Sequence, residues 1–261
     1  MKHSGFHRTI VALTMMLGVG CSRQEFECDV CVYGGTSAGV IAAYAVAQQG
    51  KSVLLIEPAY RLGGMSSGGL GQTDIGNKQV VKGLSLDFYR RVGAHYGALE
   101  HWVFEPSVAE KVYKDYIERG NVDVLYGHRI LSANKQGTSI TSIKLENIEK
   151  FCGRTSVKAK VFIDCSYEGD LMARSGVEYV VGREPNSQYG ETWNGVQMLD
   201  KHQFPDGVDP YVVKGNPESG LLWGISSEPL ADKGSGDSKV QAYNFRLCLT
   251  DVAENSLPIP C

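Results

Sequence analysis

The chain has 261 residues, 43% of them hydrophobic, and a formal net charge of −3 from 26 basic and 29 acidic side chains. That length suits one large folded domain, or one and a half ordinary ones, with a sizeable core. No Lys/Arg block offers a phosphate-backbone footprint, which argues against a nucleic-acid partner, and the 31 glycines follow no collagen-like period.

At the N-terminus, Lys2 and Arg8 precede an apolar run from Ile10 to Val19 and then Gly20-Cys21. The run is too short to span a bilayer and has the layout of an export signal covering residues 1–21. A small residue followed by Cys resembles a bacterial lipoprotein signal. That resemblance implies lipidation of Cys21, a lipid anchor to a membrane, and a periplasmic or outer-membrane location. Leu17 stands one position further from the cysteine than the usual pattern, so a conventional cleavage site beside an unmodified Cys21 is the alternative.

Next come the elements of the fold. Asp29–Tyr33 (DVCVY) reads as a short buried strand, Gly39–Gln49 as an alanine-rich helix, and Ser52–Ile56 as a second strand ending at Glu57-Pro58. Strand, glycine turn, helix and strand within about thirty residues make a βαβ unit with a parallel pair. A Gly/Ser-rich loop over 61–77 follows. Ser85–Tyr96 and Ser107–Glu118 read as helices, the second with Ser107 as its cap. Val122–Tyr126 is a third strand. His128–Asn134 and Ser139–Glu146 alternate around Lys135-Gln136-Gly137 as a hairpin. Lys158–Asp164 is another buried strand, leading to a helix near Leu171–Ser175. From about Val180 Gly, Pro, Asn and Ser increase and periodicity fades, so the sequence divides into residues 28–180 and residues 181–261.

Seven cysteines are present. Cys28, Cys31 and Cys165 lie in apolar strands and read as buried small hydrophobes. Cys28-x-x-Cys31 has metal-like spacing, but a period-2 strand turns the two side chains to opposite faces. No second pair with Cys152, Cys248 or Cys261 completes an iron–sulfur or zinc set. No metal site is predicted.

Gly34-Gly35-Thr36-Ser37-Ala38-Gly39 fills the G-x-G-x-x-G frame, with Thr36 in place of the middle glycine. Gly34 allows the tight turn and Gly39 the close packing of helix on sheet. The helix start then offers unpaired N–H groups and a partial positive charge to a pyrophosphate. Thr36 puts a Cβ where backbone should approach phosphate, while bringing a hydroxyl able to donate. Glu57, closing the second strand, is placed to accept hydrogen bonds from the hydroxyls of an adenosine ribose and to repel a 2′-phosphate.

Arg61-Leu62-Gly63-Gly64-Met65 and Ser66-Ser67-Gly68-Gly69-Leu70-Gly71 come after that acid. Val161-Phe162-Ile163-Asp164-Cys165-Ser166-Tyr167-Glu168-Gly169-Asp170-Leu171 lies further on, and then Gly182-Arg183-Glu184-Pro185-Asn186-Ser187-Gln188-Tyr189-Gly190-Glu191. With these, residues 28–255 resemble FAD-dependent oxidoreductases of the glutathione-reductase-type FAD fold. They are most similar to exported bacterial members labelled xanthan-lyase-like. The resemblance implies an α/β Rossmann-like FAD/NAD(P)-binding domain over 28–180, a parallel sheet with a βαβ unit, and the beginning of a substrate or cap region over 181–261. It implies that Gly63, Gly64 and Met65, with Arg61, carry the chain past the pyrophosphate and ribityl chain. Asp164 is open to two roles, holding a ribityl hydroxyl or capping a helix. The implied reaction is hydride transfer to flavin from a small-molecule substrate, carbohydrate-derived if the label holds, with electrons passing to a further acceptor.

Arg183, Tyr189 and Glu191 have suitable chemistry for catalysis, against the plainer reading of solvated loop residues; no histidine falls into a defensible triad order. Members of that family continue well past Cys261, so the chain is expected to be a C-terminally truncated fragment with exposed apolar surface and weak FAD binding. Two alternatives stand beside this reading. One is a catalytically inactive FAD-fold fragment or binding protein. The other is an NAD-binding Rossmann enzyme, against which the Gly63-Gly64 loop argues.

Overall fold

The computed structural model describes residues 23–149, 154–199, 205–241 and 246–257. The predicted signal segment with Cys21, and Cys152 and Cys261, lie outside the described residues. These divide into two compact units. One holds the described residues within Met1–Val177 and Arg246–Cys261, the other those within Glu178–Phe245. The tail from Arg246 thus groups with the first unit. No helix among the described residues is long and apolar enough to cross a membrane.

In the first unit the order is β1 (Arg23–Tyr33), α1 (Ser37–Ala47), β2 (Val53–Glu57), α2 (Gly83–His95), α3 (Pro106–Gly120), β3 (Asp123–Tyr126), β4 (His128–Gln136), β5 (Ser139–Asn147), β6 (Arg154–Asp164) and α4 (Asp170–Arg174). One six-stranded sheet runs β3-β2-β1-β6-β5-β4. Strands β3, β2, β1 and β6 are mutually parallel, while β5 and β4 are antiparallel. This is the mixed α/β fold with a βαβ unit that the sequence predicts.

The parallel strands are apolar on both faces because both faces are covered. On one, Val30, Val32, Val53 and Leu55 pack against Val40 and Ala43 of α1, Phe88 and Val92 of α2, and the apolar side of α3. Helix α3 buries Val108, Ala109, Val112, Tyr113, Tyr116 and Ile117, the 3.6-residue stripe of an amphipathic helix. On the other, Cys31, Tyr33, Leu54 and Ile56 pack against Ile130, Ile143, Leu145 and Val157 of β4 to β6, with Leu171 of α4.

The structure corrects two sequence expectations here. Helix α3 is capped at Glu105, with Pro106 in its first turn, and not at Ser107. Proline has no N–H to leave unpaired and its φ is preset for the helix, so the element begins one residue earlier. Cys28 and Cys31 do not face opposite sides, because both pack against the β4–β6 cluster. The amides of Asp29 and Val30 share the Ser52 carbonyl, each at 3.1 Å. The alternation of β1 shifts by one residue at this point, although its register with β6 continues unbroken from Cys28 beside Ala159 to Val30 beside Val161. Beside it Asp29 accepts from the Ser52 hydroxyl at 2.9 Å and from Lys160 at 2.6 Å, tying β1 to β6 and to the start of β2. Elsewhere β1 and β6 each run longer than predicted, as they pair in parallel from Arg23 beside Arg154 onward.

Tyr33 is 1% exposed, and its hydroxyl accepts the Ile130 N–H at 3.1 Å, at a point where the β4–β5 register shifts. Tyr33→Phe strands that buried amide, a loss of about 1–3 kcal/mol; a fall in the denaturant midpoint with an unchanged slope is expected, and an unchanged midpoint contradicts the assignment. Burial first of all pushes the Tyr33 phenol up to about 12, and burial does the same to Tyr113. Folding therefore favours the protonated phenols. Their contribution is complete below the ordinary tyrosine value near 10 and is lost as pH rises through about 12. Stability measured between pH 9 and 12 is expected to fall across that window, together with late phenolate absorbance.

Candidate functional site

The site is built where the parallel strands β1, β2 and β6 end. Strand β1 stops at Tyr33 because Gly34 turns with φ +100°, and α1 then starts at Ser37. Thr36 is the N-cap. Its hydroxyl accepts the Gly39 N–H at 3.2 Å and donates to the Cys165 carbonyl at 2.9 Å. The Thr36 proton is thus spent inside the protein, and its side chain ties the α1 start to the end of β6. Gly39 must be glycine, since a Cβ there would lie 1.8 Å from the Gly34 carbonyl oxygen. The first-turn amides of Ser37 and Ala38 have no intrahelical acceptor and face outward from the helix start.

Glu57 fastens this turn. One carboxylate oxygen accepts the Gly35 N–H at 2.6 Å, the other the Ala59 N–H at 2.7 Å. A carboxylate accepts about four hydrogen bonds, so each oxygen retains capacity for one more. The loop after β2 then folds back onto the same turn: Gly63 donates to the Gly35 carbonyl at 2.8 Å and pairs with Thr36 in a parallel bridge. Gly63 has φ +98°, and a Cβ on it would meet the Tyr113 ring at 2.3 Å. Ser67, 2% exposed, holds the loop from beneath by donating to the Leu62 carbonyl.

A cleft of about 340 Å³ results, lined by Gly34, Thr36, Glu57, Arg61, Ser67 and Tyr167 among others. This is the small end of the range for ligand pockets, roughly 300–1,000 Å³. Arg61 reaches the cleft and pairs with Glu110 of α3 at 2.7 Å. Of the two roles open to Asp164, the structure shows the capping one. Its carboxylate accepts from Ser166 N at 3.0 Å and Ser166 Oγ at 2.7 Å, and from Met172 N at 2.8 Å at the start of α4. Asp170, which lines the cleft, is shifted upward, first by burial and then by the charges of Glu168 and Asp164.

Sequence reading alone does not pick out Ser67, Ser166 or Tyr167 as site residues. Ser166 and Tyr167 stand inside the 161–171 motif, but only the return of β6 beside β1 brings them to the cleft.

Arg183, Tyr189 and Glu191 belong to the second unit. Its short helix, α5, spans Asn186–Tyr189, and its hairpin is formed by β7 (Tyr211–Val213) and β8 (Asn216–Leu221). Arg183 forms a two-pronged ion pair with Asp237, and their backbones bond in both directions at 2.8 and 3.0 Å. Tyr189 and Glu191 have exposed side chains, and the Tyr189 hydroxyl accepts from Gln188 Nε2 at 3.1 Å. Of the histidines, His128 is 6% exposed and its Nδ1 lies 2.6 Å from the Tyr126 carbonyl, a structural position. Among the described residues no group of three His, Cys, Asp or Glu is placed to hold a metal ion.

The donors and acceptors of this cleft fit a dinucleotide that carries hydroxyls as well as phosphates. The carboxylates of Glu57 and Asp170 are able to accept from hydroxyls, while first-turn amides of α1 suit an anion. Solved structures similar to this chain include the myxobacterial chondrochloren halogenase CndH, a variant of FAD-dependent halogenases, at 17% identity over 54% of this chain and 37% of that one, TM-score 0.43. CabE, an aromatic hydroxylase from angucycline biosynthesis, matches at 14% identity over 60% and 35%, TM-score 0.46. A flavoprotein/dehydrogenase from Cytophaga hutchinsonii matches at 19% over 61% and 43%, TM-score 0.45. The chain therefore spans well under half the length of these proteins. No curated protein matches it. Residues 29–260 match the FAD dependent oxidoreductase family, and the chain belongs to that family.

Proposed function

We propose that this chain forms the dinucleotide-holding part of an exported FAD-dependent oxidoreductase, anchored by a lipid on Cys21. Its substrate is a small, carbohydrate-derived molecule, and a separate acceptor reoxidises the cofactor. The carrying observation is the convergence of the Gly34–Gly39 turn, the α1 start, Glu57 and the Gly63–Met65 loop at one end of the parallel strands. Family membership supports FAD as the cofactor. The carbohydrate class rests on the label of the exported members that the sequence resembles, and export rests on residues 1–21.

In this reading the Ser37 and Ala38 amides bind phosphate oxygens, helped by the helix dipole. Glu57 keeps its two backbone partners and accepts from ribose hydroxyls, and its charge disfavours a phosphate on the same sugar. The Gly63–Met65 loop forms a wall of backbone, because glycine lets a ligand approach without a side chain between. Bound FAD supplies the hydride-accepting ring, which no side chain of the twenty can replace. The chain's own residues bind and orient it. The pinning of Gly63 to the Gly35 carbonyl favours FAD over a simple NAD enzyme, since it builds a second wall beyond the acid.

Titrated with FAD at equilibrium, the purified chain is expected to perturb the flavin absorbance bands in a saturable way, with the weak affinity expected of a fragment. No spectral change at any FAD concentration would count against the reading. Glu57→Gln removes the charge from two short backbone hydrogen bonds and from the hydroxyl site. Charge-assisted bonds contribute about 1.5–3 kcal/mol each, so FAD affinity in titration is expected to drop at least tenfold. Gly63→Ala forces a Cβ against the Tyr113 ring and demands a left-handed φ from a residue with a side chain. It is expected to lower both flavin retention and the melting temperature.

A further inference from the structure

The Tyr167 side chain lies across the glycine loop. Its hydroxyl accepts the Met65 N–H at 2.6 Å, and a Cβ on Gly64 would lie 2.1 Å from that oxygen. The residue is 57% exposed, belongs to neither buried cluster, and lines the cleft with Gly34, Glu57 and Ser67. On both sides its backbone is fixed, by Asp164 bonding to Ser166 and by the α4 start at Asp170, with Gly169 at φ +69° between. The side chain therefore has one directional anchor, the Met65 amide, on an otherwise firm platform.

An amide has one proton to give. We propose that Tyr167 sets the affinity of the cleft by competing with its dinucleotide: the phenol oxygen takes the position on the Met65 N–H that a ligand oxygen needs, and it must swing away when the ligand binds along the glycine loop. Gly64 is what makes the competition geometrically allowed, since any side chain there collides with the phenol. No bond is made or broken beyond this exchange of hydrogen bonds. The inference rests on the dinucleotide reading of the cleft.

The test compares the full chain with Tyr167→Phe, which keeps the ring and removes the hydroxyl. One intramolecular hydrogen bond is worth about 0.5–1.5 kcal/mol, so FAD is expected to bind the variant about 2- to 10-fold more tightly, with most of the gain in the association rate. Weaker or unchanged binding by the variant overturns the proposal, the first by making the hydroxyl a direct ligand contact. Hydrogen exchange without FAD supplies an independent arm: the peptide containing Met65 is expected to exchange faster in Tyr167→Phe, and equal rates overturn the proposal. If the wild-type chain retains no FAD while exchange still differs, the dinucleotide reading fails and the Tyr167–Met65 bond stands without its competing role.

Discussion

The Glu57 carboxylate gripping the Gly35 and Ala59 amides is the constraint on which the rest of the site depends. It joins the turn after β1 to the turn after β2, so these two loops cannot move independently. Gly63 then pairs with Gly35, and Thr36 reaches from the same turn to the Cys165 carbonyl at the end of β6. Three parallel strands thus deliver their loops to one point. The hydrogen bonds are short, and each partner is either a backbone group or a side chain fixed by the strand that carries it. A site so preorganised loses little further freedom when it binds a ligand.

The two-faced sheet supplies the rigidity behind that point. A parallel sheet must be covered on both sides, and here helices α1 to α3 cover one face while side chains of the β4–β5 hairpin and Leu171 of α4 pack on the other. Between α2 and α3, Arg91 lies over the Tyr116 ring, 4.6 Å from its centroid, and bonds Asp87 and Asp115 at 2.6 Å each. Burial alone would raise the Asp87 carboxyl, but the Tyr116 hydroxyl and the Arg91 guanidinium outweigh it and hold it below the usual range. This locks α3 in place. Because Tyr113 of α3 lies directly under Gly63, the position of the helix decides the position of the glycine loop.

Much of this was legible from residue types. DVCVY followed by GGTSAG specifies strand, turn and helix because buried β-branched residues, glycines and a capping hydroxyl each have few alternatives. The same holds for VLLIE and for the 128–146 hairpin. What was illegible depended on partners distant in the chain. Residues 23–28 include Gln24, Glu25 and Glu27 and carry no buried-strand pattern, yet they form strand because β6 pairs with them across more than a hundred residues. The amides of Asp29 and Val30 share the Ser52 carbonyl, and alternation breaks there, so strict alternation placed Cys28 on the wrong face. Asp164 looked equally suited to a ligand or a helix, and only the positions of the Ser166 and Met172 amides show that it serves the α4 start.

Charge around the cleft adds a last constraint. Glu57, Glu168 and Asp170 line it with Arg61 as the formal cation, and Arg61 is already paired with Glu110. Three carboxylates repel a polyanion, so in the proposed reading side-chain charge is not what would hold phosphate. The attraction must come from backbone: oriented amides at the α1 start, a partial positive charge of about half a unit, close enough to matter only where no side chain stands between. The glycines at 34, 35, 63 and 64 are themselves required by packing, since a Cβ there would meet Cys165, Glu57, Tyr113 or Tyr167. In that reading the acids would serve a different part of the ligand, the hydroxyls, for which a carboxylate is a good acceptor. A dinucleotide that alternates sugar hydroxyls with phosphates meets both demands, and a bare phosphate or a neutral sugar meets only one.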